Sequence, residues 1–252
     1  MMTDDRTGRS APREMERPLI SIVIPAFEVD LELRRCVDSV RLACPDRARC
    51  EVIVVLPASL VAKARGWLPE ERVLAEHRPS IYGAMNDGAA ASRGRYLYFL
   101  GKDDIVLPGF DQVMVMLESS TPVALFFDVY WGPRGIYSGR PSKFRLLTRN
   151  LCHQGIVYAS DAFHKHGPYL RRMKVQADHL LNIRVLWDAA SSGRITYLPL
   201  ALTWYSGTGF SAQRANDPVF RRLYSTTLRK YVGGWAVCIL WMWRKLRGAP
   251  TR

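Results

Sequence analysis

The sequence predicts an α/β protein built on a mixed, mostly parallel sheet that is flanked by helices. In the first hundred residues, short apolar runs at 19–25, 51–56 and 96–100 alternate with segments whose apolar residues recur every three or four positions. The chain has 252 residues, of which 48% are hydrophobic, so it can bury one large core. Because strands that alternate with helices usually pair in parallel, we expect ligands to bind beyond the carboxyl ends of the strands.

The predicted elements follow one another closely at the start of the chain. The run 19–25 is rich in isoleucine and valine and ends at Pro25, which favours a buried strand. Asp30 is expected to cap a helix over 31–43, because Pro45 follows a segment with helical spacing. A second buried strand is then predicted at 51–56, followed by a short helix at 60–67 and a brief strand at 72–74.

The next predicted helix, 81–93, is rich in glycine and alanine and is therefore expected to pack closely on its neighbours. Gly94 is expected to end it in a left-handed conformation. A strand at 96–100 follows. The second half of the chain is less regular, and we predict apolar strands at 123–127 and 155–158 and helices at 160–166 and 177–189.

Composition limits the class of protein. Five cysteines without a C-x-x-C pair predict reduced thiols, and hence a cytosolic protein rather than a disulfide framework or a zinc site. Residues 1–18 are polar and lack the apolar stretch of a secretory signal, so we expect a disordered leader. The net charge of +13 suits nucleic acid, anionic lipid or phosphorylated substrates. Because the basic residues are scattered and no nucleic-acid motif is present, we do not expect a nucleic-acid partner.

Two adjacent acids, Asp103 and Asp104, follow the strand predicted at 96–100. Carboxylates at the end of a buried strand can hold a divalent cation over a diphosphate, because hard cations prefer carboxylate and phosphate oxygens. An isolated pair of this kind is more often a solvated turn. Other motifs must therefore decide between the two interpretations.

Such motifs are present, in a fixed order along the chain. They are IVIP at 22–25, SIYGAMNDG at 80–88, FLGKDD at 99–104, CHQG at 152–155, QADH at 176–179 and GFS at 209–211. Together they resemble the successive motifs of family 2 glycosyltransferases with the GT-A fold. The resemblance covers residues 19–212 and leaves 213–252 as a helical, basic and aromatic C-terminal extension.

The resemblance implies an inverting, metal-dependent glycosyltransferase of bacterial cell-surface polysaccharide synthesis. Such an enzyme moves a sugar from a nucleotide-diphosphate donor to a hydroxyl of a glycan or lipid-linked acceptor. Asp104 would ligate a divalent cation, Mn²⁺ or Mg²⁺, and Asp178 would be the general base that takes the proton of the acceptor hydroxyl. Donor contacts are implied for Pro25, Ala26, Tyr82, Asn86 and Asp103, and acceptor or diphosphate contacts for His153 and Gln154.

Simpler interpretations remain for several of these residues. Asp178 is also a favourable first-turn acid of the helix predicted after it, and both roles are compatible. His153 could be a core histidine with satisfied hydrogen bonds, and Asn86 a helix-surface amide. Arg78 and Arg95 are expected to be solvated surface arginines.

Two positions depart from the pattern of the family. After the second strand the family usually shows an acid and small residues, whereas this chain has LPAS at 56–59. The first position of the metal motif, where an acid or amide is common, is Gly101. These departures leave open a catalytically impaired sugar-nucleotide-binding protein or partner subunit. A nucleotidyltransferase is less favoured, because PAFE at 25–28 is not a glycine-rich phosphate loop.

The segment 231–243 is apolar and carries Trp235, Trp241 and Trp243 between basic residues. A membrane-spanning helix needs about 20 apolar residues. We therefore expect an in-plane helix on an anionic membrane surface, with the protein peripheral on the inner face of a cytoplasmic membrane. A helix docked on the catalytic core is the alternative.

Overall fold

A computed structural model describes residues 17–188, 193–207 and 217–246 of the chain. Within these ranges nine strands form one sheet. The strands are β1 (Ile20–Pro25), β2 (Cys50–Leu56), β3 (Arg72–Ala75), β4 (Tyr96–Phe99), β5 (Ile105–Val106), β6 (Ala124–Trp131), β7 (Ile136–Tyr137), β8 (Ile156–Ala159) and β9 (Ile195–Tyr205).

The helices lie between these strands and after the last of them. They are α1 (Leu31–Ala43), α2 (Val61–Trp67), α3 (Ile81–Ala91), α4 (Asp111–Ser120), α5 (Lys143–Leu146), α6 (Ser160–His166), α7 (Ala177–Trp187), α8 (Pro218–Tyr231) and α9 (Gly234–Leu246). The predicted helices at 31–43 and 160–166 are confirmed to the residue. The GFS motif at 209–211 lies outside the described residues.

The sheet has the order β3-β2-β1-β4-β8-β6-β9-β5, with β7 paired to β6. Its first four strands are parallel, as the sequence predicts. The remainder is mixed, because β8 runs antiparallel to both β4 and β6, whereas β6 and β9 are parallel. The sheet as a whole is therefore mixed, and the α/β fold class that the sequence predicts is confirmed.

Strand β9 has no counterpart among the sequence predictions. Its 11 residues include Pro199, which has no N–H to donate to a neighbouring strand. The ladder with β6 is irregular there, since Phe127 pairs with Leu198 but the next residue, Asp128, pairs with Ala201. The bulge accommodates the proline, and the strand continues to the end of the sheet that carries Asp103.

Alternate residues of the central strands enter two cores, one on each face of the sheet. Val23, Ile53 and Val55 point toward α3 and α7. Ile22, Val52 and Val54 join the core on the other face with α1 and α4. Strands that are buried on both faces have nearly continuous apolar sequences, which is the pattern at 19–25 and 51–56.

The helix starts and close contacts follow local chemistry. Asp30 caps α1 as predicted, since its carboxylate accepts the N–H of Leu33 at 3.0 Å. A side chain at Gly88 would collide with Val23, so the small residues of α3 do permit close packing. The prediction for Gly94 is wrong: α3 ends at Ala91, and Gly94 is not left-handed. Glycine is required because a Cβ at this position would lie 2.5 Å from the backbone nitrogen of Ser21.

The C-terminal helices pack on the core. Phe220 and Leu228 of α8, and Ala236 and Leu240 of α9, belong to the same buried cluster as α7. Trp235 on α9 is 52% exposed. Among the described residues, no helix combines the length and the apolar character needed to cross a bilayer.

Candidate active site

Most of the predicted site residues lie at one end of the sheet. This end is formed by the carboxyl ends of β1, β4 and β9 and by the segment that leads into β8. Asp103 and Asp104 follow β4, and His153 and Gln154 precede β8. Residues far apart in the chain therefore meet because antiparallel β8 begins where β4 ends.

Asp104 is fully buried. Its Oδ2 atom accepts hydrogen bonds from the N–H of Gly101 at 2.6 Å and from the side-chain amide of Gln154 at 3.0 Å. Its Oδ1 atom has no hydrogen-bond partner in the described part of the chain. Burial, and then the nearby charge of Asp103, raise the pKa of Asp104 to about 8.

Asp103 lies beside it and accepts a hydrogen bond from the hydroxyl of Ser206, just beyond β9. The glycine at position 101 fits this crowding. A Cβ there would lie 2.8 Å from Oδ2 of Asp104 and 2.9 Å from Oδ1 of Asp103. Gly101 thus lets the backbone turn under both carboxylates, which gives this departure from the family pattern a steric reason.

The residues present fit a divalent cation that a substrate helps to hold. Over the described ranges, no group of three His, Cys, Asp or Glu side chains could form a metal cage. Magnesium-like ions commonly bind through one or two carboxylates and complete their shell with substrate phosphates and water. A buried carboxylate oxygen without a partner, on Asp104, suits that arrangement.

Asp178, in the first turn of α7, is also buried and accepts side-chain hydrogen bonds from two residues. Its Oδ1 accepts the hydroxyl of Tyr82 at 3.0 Å, and its Oδ2 accepts the side-chain amide of Asn150. His153 Nδ1 lies 3.9 Å from Oδ2. Tyr82 also accepts the N–H of Ala177 at 3.1 Å, which ties the start of α7 to α3.

Asn150 is itself fixed by its neighbours. Its Oδ1 atom accepts the amide of Asn182 at 3.1 Å, and Asn182 in turn accepts the hydroxyl of Tyr158 at 2.6 Å. Such a chain of satisfied polar groups limits the orientations open to the carboxylate of Asp178.

The residue that leads into α7 has an uncommon backbone conformation. Gln176 has φ 69° and ψ 13°, in the left-handed region. A non-glycine residue held there costs on the order of 1 kcal/mol, and such strain is concentrated at functional sites. The turn brings Asp178 into contact with Tyr82 and Asn150.

His153 and Gln154 differ in what they contact. Gln154 is buried and orients Asp104 through its amide, while its carbonyl oxygen on the backbone accepts the hydroxyl of Tyr98 at 2.7 Å. Burial lowers the pKa of His153, although the charges of Asp178 and Asp103 oppose this, so the imidazole is neutral at pH 7. Direct contact of either residue with acceptor or diphosphate stays a prediction.

The predicted donor residues occupy two places. Pro25 and Ala26 lie at the end of β1, at the carboxylate end of the sheet, and the N–H of Ala26 donates to Val55. Tyr82 contacts Asp178, as described above. Asn86 uses both ends of its amide on the backbone of Tyr169, at 2.7 and 2.9 Å. Donor binding by Tyr82 and Asn86 therefore stays a prediction, while their contacts show them fixing neighbouring segments.

Lys102 joins two loops at this end of the sheet. Its ammonium group contacts the carboxylates of Asp30 and Glu32, the latter at 2.9 Å, and lies 5.3 Å from the ring centre of Phe27. Burial lowers the pKa of Lys102, but the hydrogen bonds to these two acids outweigh it and raise the pKa above its usual value. The β1–α1 loop is thus held against the loop that carries Asp103 and Asp104.

Comparison with known proteins identifies a family whose profile includes part of this site. The profile described as glycosyl transferase family 2 matches residues 21–172, more than half of the chain. The chain belongs to this family. The match to family 2 includes Asp103 and Asp104 and ends before Asp178.

Relatives within the family extend the match. The chain is 32% identical over 228 residues to the PGL/p-HBAD biosynthesis glycosyltransferase of Mycobacterium tuberculosis, which covers 84% of this chain and 87% of the relative. The protein of the same description from Mycobacterium bovis matches equally.

Solved structures share the GT-A fold of family 2. S. aureus TarS 1-349 in complex with UDP-GlcNAc has a TM-score of 0.66 and 14% identity, over 88% of this chain and 70% of that one. The mannosyltransferase PcManGT from Pyrobaculum calidifontis, in complex with GDP-Man and Mn²⁺, has a TM-score of 0.56 and 15% identity, over 97% and 79%. The protein is therefore a glycosyltransferase of family 2 with a mixed α/β sheet.

Three contacts of the site had no signal in the sequence. Asn150 lies 28 residues before Asp178, and Ser206 lies 103 residues after Asp103. Lys102 belongs to a predicted motif, but its ion-pair partners Asp30 and Glu32 do not. Only knowledge of which loops the sheet brings together could have identified them.

Proposed function

We propose that this protein transfers a sugar from a nucleotide-diphosphate donor to a hydroxyl of a glycan or lipid-linked acceptor, with inversion, in bacterial cell-surface polysaccharide synthesis. The observation that carries the proposal is the placement of two buried carboxylates at one end of the sheet. One has an oxygen without a partner, on Asp104, and the other, Asp178, is held by Tyr82 and Asn150. Relatives named for PGL/p-HBAD biosynthesis support an acceptor of this class.

Asp104 would hold a divalent cation, Mn²⁺ or Mg²⁺, together with the donor diphosphate, and Asp103 beside it would contact the donor. When bound, the cation neutralises the negative charge that develops on the departing nucleotide diphosphate. Gln154 and the N–H of Gly101 keep Oδ2 of Asp104 in place, which would leave Oδ1 available to the cation. A fold neighbour in complex with GDP-Man and Mn²⁺ supports this assignment.

Asp178 would act as the general base. It takes the proton of the acceptor hydroxyl while that oxygen forms a bond to the anomeric carbon and the bond from this carbon to the diphosphate oxygen breaks. A single displacement of this kind inverts the configuration of the sugar. Because Tyr82 and Asn150 each donate to the carboxylate, its lone pairs keep a fixed direction toward the acceptor.

A catalytically impaired sugar-nucleotide-binding protein or partner subunit is the second candidate. The sequence at 56–59 favours it, since the acid usual in the family after the second strand is missing. Such a protein would bind the donor but transfer no sugar.

One experiment separates these functions. The purified protein is screened against a panel of sugar nucleotides by thermal shift, with and without Mn²⁺. The sugar nucleotides that stabilise it are then tested as donors with glycan and lipid-linked acceptors. We expect metal-dependent stabilisation by one donor and a product whose anomeric configuration, measured by NMR, is inverted. Stabilisation without transfer to any acceptor would favour the impaired protein, and a retained configuration would contradict the mechanism.

We further propose that the protein works in the cytoplasm, attached to the inner face of the membrane through residues 230–247. On α9, Ala236 and Leu240 are buried, whereas Trp235 and Met242, seven residues apart on another side of the helix, are 52% and 51% exposed. Exposed Lys230 and a net charge of +13 favour an anionic lipid surface as the occupant of that side.

The membrane attachment is tested with one substitution pair. Trp235→Ser with Met242→Ser removes the exposed apolar groups and leaves Ala236 and Leu240 in the core. We expect the wild type to co-sediment with anionic vesicles at low salt and the variant to remain in solution with an unchanged melting temperature. Equal co-sedimentation of both proteins, or none for the wild type, would contradict the proposal.

A further inference from the structure

A cavity of about 840 Å³ lies at the end of the sheet opposite to the carboxylates. It is lined by segments that directly precede β1, β4, β6 and β9 and by the residues that follow antiparallel β8. It shares no residue with the site built on Asp104 and Asp178. Its volume falls in the range of about 300–1,000 Å³ typical of small-ligand pockets.

The lining of the cavity is strongly basic. It contains one acid, the exposed Asp161, and five Lys or Arg side chains: Arg17, Arg93, Arg95, Lys165 and Arg194. Cations grouped around a concave surface raise the local concentration of anions more than the same charges do when scattered.

Two of the five cations are already neutralised. Arg93 pairs with Glu51 at 3.3 Å, and Lys165 pairs with Asp188 at 2.7 Å. No carboxylate of the described residues forms an ion pair with Arg17, Arg95 or Arg194. The cavity therefore keeps an excess of positive charge after its internal pairs are counted.

The backbone that carries these three arginines is tied into the sheet. The N–H of Arg95 donates to Pro18, the neighbour of Arg17, at 3.0 Å. The carbonyl oxygen of Arg194 accepts the N–H of Val123 at 2.9 Å. Burial raises the pKa of Tyr96 and the charges of Arg95 and Arg194 oppose this, so both guanidinium groups lie near Tyr96, which also lines the cavity.

We propose that this cavity binds a phosphate-bearing anion through Arg95, Arg194 and Arg17. Guanidinium groups offer a planar set of N–H donors that matches two phosphate oxygens at once. The chemistry is common to a free diphosphate and to the phosphate of a lipid headgroup. Arg78 and Arg95 are both exposed, as the sequence predicts, and the proposal adds a binding role for Arg95.

The test compares two variants with the same loss of charge. Arg95→Ala with Arg194→Ala removes two cavity arginines, and Arg35→Ala with Arg221→Ala removes two exposed arginines of α1 and α8. Binding of inorganic pyrophosphate is measured by calorimetry. A chelator removes divalent cations, so that the carboxylates at the other end of the sheet repel the pyrophosphate instead of binding it through a metal. Co-sedimentation with phosphatidylglycerol vesicles is measured in parallel, and melting temperatures verify that the variants fold.

We expect the cavity variant to bind one probe at least about tenfold more weakly than the control variant, since a hydrogen bond to a charged group contributes about 1.5 kcal/mol or more. A loss with pyrophosphate identifies a free diphosphate as the ligand, and a loss with vesicles alone identifies a lipid phosphate. Equal behaviour of the two variants with both probes, or no binding by the wild type, would overturn the proposal. Single substitutions, Arg95→Gln and Arg194→Gln, give the same comparison where the double variant is unfolded.

Discussion

The two ends of the central sheet carry opposite charges. At the carboxyl ends of β1 and β4, Asp103, Asp104 and Asp178 are gathered near the imidazole of His153. At the amino ends of the same strands, arginines that form no ion pair with the described residues surround a cavity. One scaffold can therefore present a surface for a cation and its diphosphate at one end and a surface for an anion at the other, because loops at the two ends are independent of the core between them.

Removal of Asp104 should have the largest effect, and only at the carboxylate end. We predict that Asp104→Ala lowers the rate of transfer by about 10³ or more, since charge stabilisation at a metal contributes several kcal/mol. Asp104→Asn keeps the shape and the hydrogen bonds from Gly101 and Gln154 but not the charge, so it should be nearly as inactive. The transfer rate and the nucleotide affinity, the latter with and without Mn²⁺, are measured for both variants. Unchanged nucleotide affinity in both would show that Asp104 does not bind the metal.

Replacement of Asp178 should separate binding from transfer. We predict that Asp178→Asn loses a factor of about 10² to 10⁴ in the transfer rate, the usual contribution of a general base. Donor affinity should stay within the error of the wild-type value, because Asp178 does not hold the diphosphate. Near-normal turnover in this variant would show that another group accepts the proton.

The residues that orient Asp178 should have a smaller effect of the same kind. We predict that Tyr82→Phe and Asn150→Ala each reduce kcat roughly tenfold, because each removes one hydrogen bond to a buried charge, about 1.5 kcal/mol. The KM for the donor should not change in Asn150→Ala, since Asn150 is not a predicted donor contact. Ser120→Ala, at the exposed end of α4, is a matched control. A loss confined to KM, or a fall in melting temperature that accounts for the lost activity, would assign these two residues a structural role only.

At the basic end, a substitution should change stability but not catalysis. Glu51 is buried at the start of β2 and accepts hydrogen bonds from the hydroxyl of Ser21 and the N–H of Arg93, both at 2.5 Å. Burial by itself raises the pKa of Glu51, but these hydrogen bonds and the pairing with Arg72 outweigh it and leave the pKa below its usual value of 4.5.

We therefore predict that Glu51→Gln lowers the free energy of unfolding by about 1–3 kcal/mol at neutral pH. A carboxylate with a lowered pKa in the folded state stabilises above its unfolded pKa, and this contribution is lost as the pH falls through the folded value. The difference between wild type and variant should thus be largest above about pH 5 and shrink below pH 4. Denaturant unfolding at several pH values measures it, and a difference that grows on acidification would contradict the assignment.

The first half of the fold could be predicted because its information is local. The alternating strands and helices, the cap by Asp30 and the close packing of Gly88 each depend on neighbouring residues or on a simple repeat. The second half could not be predicted to the same extent. Strand β9 was missed because Pro199 interrupts an otherwise apolar run, and β8 gives no sign in the sequence that it runs antiparallel to β4.

The sequence by itself determined the family and the order of strands and helices up to β4. It also identified three carboxylates as candidate site residues: Asp103, Asp104 and Asp178. Only the tertiary structure decided which groups surround them. Asn150 and Tyr82 reach Asp178, Gln154 reaches Asp104, and Arg194 joins Arg95 at the opposite end. The reason is physical: a motif fixes the chemistry of a few consecutive residues, whereas the burial and hydrogen bonds that tune those residues come from loops that only the pairing of distant strands brings together.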